Sequence, residues 1–198
     1  MVERRLAVGS AVCALLTLAL GLVYAGESTP GRVDAAVKSA IDSRLGSHST
    51  VLYWLVLATQ PYLWIPVILV TAAICLRLRR CRDAAFALLG PPVAIGLNSW
   101  VLKPLFDRHY QGVLVYPSGH TVSLVSTLTM LALLVPAGTA TRTVLGVGTL
   151  GLVCACVGMI GLSYHYFTDI VGGTLFGVTV VLAMASLWPR LGPARSTG

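Results

Sequence analysis

Six apolar stretches dominate this chain, and they leave little room for a soluble fold. They cover residues 6–25, 62–78, 84–102, 118–136, 143–162 and 166–188. A helix needs about 20 apolar residues to cross a hydrocarbon core, and an open chain can satisfy its backbone there only as helix. Composition agrees. Of 198 residues, 56% are hydrophobic and 11% charged, where soluble domains carry roughly 25% charge. The expected fold is all-α: one membrane domain over residues 1–198, a six-helix bundle plus a short amphipathic interfacial helix.

The segment between the first two spans reads differently. Thr29-Pro30 has the form of a helix start, and Val33, Val37, Ala40, Ile41 and Leu45 recur at helical spacing. Residues 29–45 are therefore expected to form a short amphipathic helix at the membrane surface. The apolar run from residue 51 is broken at Gln60-Pro61, which predicts an interfacial or re-entrant piece before the second span. Pro91-Pro92 falls inside the third span, where neighbouring helices must offset the lost backbone bond. At the N-terminus Arg4 and Arg5 precede an apolar run longer than a usual signal core, so a retained anchor is expected, although residues 23–25 resemble a cleavage site.

The net charge of +7 is not a nucleic-acid signal, because the basic residues flank apolar runs. With the N-terminus inside, Arg4, Arg5, Arg77, Arg79, Arg80, Arg82, Arg142, Arg190 and Arg195 fall on the inner side, nine in all. The five on the outer side are Arg32, Lys38, Arg44, Lys103 and Arg108. The positive-inside rule favours this orientation, with both termini cytoplasmic, in a plasma membrane. Five cysteines, an odd number without zinc-ligand company, read as small buried hydrophobes. No metal site and no cofactor are expected.

Rare polar residues gather on the outer loops. Tyr116-Pro117-Ser118-Gly119-His120 opens an apolar helix, and a helix start presents free N–H groups and a positive dipole end to an anion. A capping serine at an ordinary helix start accounts for the same residues. His165 and Asp169, four apart, share a helix face, and a carboxylate on one ring nitrogen leaves the other free as a nucleophile. A surface pair or a metal site would use the same two residues. Lys103 and Arg108 close the third span, as phosphate ligands or as snorkelling interface charges.

Together these three patterns resemble the type 2 phosphatidic acid phosphatase (PAP2) family, whose fold is shared with vanadium haloperoxidases. Its signature is a Lys-led first motif, Pro-Ser-Gly-His, and a third motif ending His-x-x-x-Asp. The order and spacing match from Lys103 to Gly173. The resemblance implies hydrolysis of a lipid phosphate or diphosphate at the outer face, without metal, through a phosphohistidine. Candidate substrates are phosphatidic acid, phosphatidylglycerophosphate and polyprenyl phosphates or diphosphates. It implies His165 as nucleophile, Asp169 as its orienting partner and His120 as acid and then base. Lys103 and Arg108, with the backbone at Ser118 and Gly119, would hold the phosphoryl oxygens. Lipid phosphotransfer, or a weakened lipid-phosphate binder, would use the same residues. The implied partners are the substrate and membrane lipids; oligomeric state is not legible. Two positions depart from the pattern: Tyr110 and Met159 stand where the family customarily carries arginines.

Overall fold

The computed structural model describes residues 2–188, so Arg190 and Arg195 lie outside the described residues, as does the tail after Pro189. A helix forms at each of the six apolar stretches. They are α1 (Val2–Val23), α4 (Pro61–Arg77), α5 (Cys81–Leu97), α7 (Gly119–Leu134), α8 (Thr139–Gly161) and α9 (Phe167–Leu187). The third continues through a π-helical turn, Asn98–Leu102, into the short α6 (Lys103–Phe106). Four of these are long and apolar enough to cross a membrane by length and composition: Val2–Val23, Cys81–Phe106, Thr139–Gly161 and Phe167–Leu187. Tyr62–Arg77 and Gly119–Leu134 are apolar but shorter. The chain is a helical membrane fold.

Between α1 and α4 stand α2 (Arg32–Leu45) and α3 (Ser49–Val56), the latter ending in a 3-10 turn, Leu57–Thr59. The start of α2 departs from expectation. Gly31, not Thr29, is the N-cap, and its N–H is accepted by Asp34 Oδ2 at 3.2 Å. The Thr29 hydroxyl is turned to Glu27 instead. The face of α2 carrying Val37 and Ile41 packs on the core built by α8, α7 and α9. Lys38 Nζ bonds Asp42 at 2.6 Å and reaches the Gly161 carbonyl, at the C-terminus of α8, at 3.3 Å. A cation suits that negative helix end. The α3 helix docks on the same end of α8, with Leu52 filling the space left by Gly161.

Close helix approach depends on small residues, as membrane packing requires. On α9, Gly173 faces the Ser118 carbonyl and Gly177 faces the backbone of α7 at Ser126. Along α1, Ser10 donates to the Thr179 carbonyl at 2.8 Å and Gly21 accommodates the Phe106 ring. After α6 a two-stranded hairpin forms, β1 (His109–Tyr110) with β2 (Val113–Leu114). Its turn residues Gln111 and Gly112 both have positive φ, the form that matches strand twist and that glycine adopts without strain.

The helix directions sort the charges. The chain begins α1, leaves α4, enters α5 and starts α8 at one end of the bundle, where Arg4, Arg5, Arg77, Arg79, Arg80, Arg82 and Arg142 stand. Lys103, His120, His165 and α2 stand at the other. At this second end Trp100 and Tyr62 project outward, whereas Tyr116 is buried in the core.

Candidate active site

His120 sits in the first turn of α7, behind Ser118. The Ser118 hydroxyl accepts the Thr121 N–H at 3.4 Å, the N-cap bond the sequence led one to expect. His165 precedes α9, four residues before Asp169. The packing of Gly173 against Ser118 brings these two helix starts together, and the Ser118 N–H donates to the Asp169 carbonyl at 3.0 Å. As a result the rings of His120 and His165 lie 5.7 Å apart, centroid to centroid, inclined at 72°. Tyr164 stacks near His120 at 6.3 Å.

Both imidazoles line a cavity of about 1020 Å³. Its remaining wall is mostly apolar: Trp64, Ile65 and Ile68 of α4, Pro92 and Ile95 of α5, and Trp100. Lys103 is the one lysine or arginine among the described residues lining it, and its Nζ also donates to the Leu114 carbonyl at 2.6 Å. Gly119 lines it too, without a side chain between its backbone and the space. A smaller cavity of about 500 Å³ reaches His165 and Tyr110 from the side of α2, past Lys38, Ser39, Asp42 and Ser43.

Asp169 is fully buried behind His165. Its Oδ2 accepts the Tyr166 N–H at 2.8 Å and stands 3.7 Å from His165 Nδ1, which has no hydrogen-bond partner. Catalytic hydrogen bonds are often long before ligand binds and shorten in the complex. Asp169 Oδ1 accepts Arg108 Nη1 at 2.6 Å.

Two residues the sequence analysis assigned to phosphoryl oxygens stand elsewhere. Arg108 is fully buried and lines neither cavity. Its guanidinium bridges Asp169 and Asp34, with Nη2 2.8 Å from Asp34 Oδ2 and Nη1 2.7 Å from the Thr168 hydroxyl. The Tyr24 and Tyr166 rings cover its faces at 4.1 and 4.5 Å. A planar, delocalised cation is suited to such a site. The physical reason for the difference is that two desolvated carboxylates hold the arginine more strongly than an open cavity can. Ser118 is also fully buried, its N–H taken by Asp169 and its hydroxyl by the helix cap. Gly119 and His120 remain as the N–H groups that a helix start leaves without intrahelical partners.

Asp34 is the residue that sequence reasoning missed. It is 2% exposed and accepts from Arg108, from the Thr168 N–H and hydroxyl, and from Gly31. Its signal was an acid at the third position of a helix, readable as a capping residue but not as a partner of residue 108. The two departures from the motif pattern have definite places. Met159 is buried with its sulfur 3.9 Å from the Ser118 hydroxyl. Tyr110 packs on Tyr166 with ring centroids 4.4 Å apart and planes tilted by 33°, and it borders both cavities. His109 lies on the hairpin beside Asp107 and lines neither cavity.

Tyr116 ties the site to α1: its buried hydroxyl donates to the Thr17 carbonyl at 2.6 Å. Burial, and then the nearby Asp169 carboxylate, push its phenol well above the usual range, so it stays protonated and keeps donating. No group of three His, Cys, Asp or Glu side chains among the described residues is placed to hold a metal.

No curated protein matches the chain, and neither does any solved structure. A family model does: that of the PAP2 superfamily, over residues 86–193, more than half of the chain. It begins in α5 and takes in the Lys103, His120 and His165 segments. Asp34 lies outside it. The chain thus belongs to the PAP2 superfamily, a family of phosphatases.

Proposed function

We propose that this protein hydrolyses a lipid phosphate or diphosphate through a covalent phosphohistidine on His165. The observation that carries the reading is the pair of imidazoles 5.7 Å apart on one cavity, with a buried carboxylate behind only one of them. That asymmetry assigns the roles. Asp169 directs His165 Nδ1 inward, so Nε2 is the nucleophile. His120 has no carboxylate partner among the described residues and serves as the proton carrier.

In the first step Nε2 of His165 attacks phosphorus, the bond from phosphorus to the lipid oxygen breaks, and His120 gives its proton to that oxygen. In the second, His120 takes a proton from water as the water attacks phosphorus. The P–N bond breaks and His165 returns. Lys103 and the N–H groups of Gly119 and His120 face the phosphoryl oxygens, where charge develops. The apolar wall from α4 and α5 receives the lipid portion, which reaches the site sideways from the bilayer. The chemistry needs no metal in this reading, because the cation and the helix dipole meet the charge. The positive-inside rule favours the basic end of the bundle in the cytoplasm, and with it a site at the outer face of the plasma membrane.

The test is phosphate release from a panel of lipid phosphates by purified protein in chelator, for wild type and His165→Ala. We expect release by wild type and its loss, together with loss of an acid-labile phosphoenzyme, in the variant. Equal release from both would sink the reading.

A further inference from the structure

We infer that Asp34, on α2 and outside the matched segment, is a positioning residue for the reaction. It acts through Arg108 to fix the carboxylate that holds His165. The inference rests on the function proposed above.

The connection is continuous and buried throughout. Asp34 Oδ2 accepts Arg108 Nη2 at 2.8 Å, and Arg108 Nη1 donates to Asp169 Oδ1 at 2.6 Å. Asp169 Oδ2 then faces His165 Nδ1. Thr168 ties the chain a second time, donating from both its N–H and its hydroxyl to Asp34 at 2.9 Å while accepting from Arg108. Asp34, Arg108, Thr168 and Asp169 are each no more than 7% exposed. The guanidinium has aromatic rings on both faces and a carboxylate at each end, so it has one place to sit.

Charge gives the arrangement a purpose beyond packing. Arg108 paired with Asp169 alone would form a neutral couple, with little negative potential left for His165. Two carboxylates sharing one guanidinium leave one net negative charge, and His165 borders it. That charge favours the developing positive charge on His165 as the P–N bond forms. The other groups around His165 are His120, Lys103, Tyr110, Tyr164 and Tyr166. Lys38 and Asp42, on the side of α2, are already paired with each other.

Asp34→Asn keeps the shape and the acceptor oxygen but removes the charge. We expect kcat to fall about tenfold to a hundredfold, the range known for losing the partner that orients a metal-ligating side chain, taken here by analogy. KM should stay within about threefold, because no atom of Asp34 meets substrate in this reading. Quenched-flow phosphoenzyme formation should slow by the same factor as kcat. Asp34→Glu, which restores the charge on a longer arm, should recover part of it. Should the Asn variant fail to fold in detergent, the isosteric Thr168→Val breaks the second tie and should lower kcat in the same direction. Folded Asp34→Asn with wild-type kcat, or Thr168→Val with wild-type kcat, overturns the assignment of Asp34 alone. Absence of His165-dependent release by wild type overturns the function beneath it.

Discussion

Gly173→Ala should separate the two helix starts that make the site, and the structure gives the size of the effect. A Cβ at residue 173 would stand 2.7 Å from the Ser118 carbonyl oxygen and 3.0 Å from Thr121 Cβ. The first distance is about 0.7 Å short of ordinary contact, and the obstacle is backbone, which cannot rotate away. The start of α7 must therefore move off α9 by a comparable distance. His120 moves with α7, while His165 and Asp169 stay with α9. Overpacking of this kind costs about 1–3 kcal/mol of stability. A displacement approaching 1 Å between reacting groups costs about a hundredfold in rate. Phosphate release by Gly173→Ala in detergent should accordingly fall about a hundredfold, with a Tm only several degrees lower. Gly146→Ala is the control, since a Cβ there meets nothing within 4 Å. Wild-type turnover in Gly173→Ala would refute the claim that the α7–α9 contact sets the distance between the imidazoles.

Other perturbations separate further parts of the argument. Arg108→Met leaves Asp34 and Asp169 without their cation and should destabilise the fold by about 3–5 kcal/mol. Lys103→Met should instead lower the Tm only slightly, for the lost bond to the Leu114 carbonyl, and lose about a hundredfold or more in turnover. The reverse pattern would exchange their roles. Val113→Cys, exposed at the hairpin, should react with an impermeant maleimide from outside intact cells, whereas native Cys81, exposed at the basic end, should react only after lysis. Reversed labelling reverses the orientation. Tyr110→Arg adds a cation beside both cavities at the expense of a ring contact worth about 1 kcal/mol. Vanadate, a phosphate mimic, should inhibit that variant about tenfold more tightly, and unchanged inhibition would place the phosphoryl group elsewhere.

What the sequence made legible follows from what is local. The apolar runs locate the helices to within a few residues, because length and hydropathy are properties of a segment. The first turn of α7 was equally readable: Ser118 as cap and His120 as the second helical residue are fixed by helix geometry alone. Asp169 does stand beside His165, but not on a shared helix face: His165 lies outside α9, before its extended N-cap Tyr166. Arg108 shows where this stops. Its residue type suits a phosphate and suits a buried carboxylate pair equally, and the choice depends on Asp34, 74 residues earlier. No periodicity within α2 reports that its third residue is turned into the protein. The amphipathic pattern marked Val37 and Ile41 as the apolar face, and they do pack inward. The acid beside that face, Asp34, carried no reading of its own.

The diversion of Arg108 changes how the phosphoryl charge must be met. A monoester near neutral pH carries between one and two negative charges. With Met159 and Tyr110 at the customary arginine positions and Arg108 held between carboxylates, Lys103 is the one lysine or arginine among the described residues on the cavity. The remaining positive potential comes from the start of α7. In the proposed function such a site would bind its substrate less by charge than by apolar contact with its wall from α4 and α5. Selectivity should then follow the lipid portion more than the headgroup. Shortening the acyl or prenyl chain of a substrate should raise KM steeply, by about 0.8 kcal/mol for each buried methylene lost. Raising the salt concentration should change KM little. A steep salt dependence with indifference to chain length would mean that cations outside the described cavity wall do the binding.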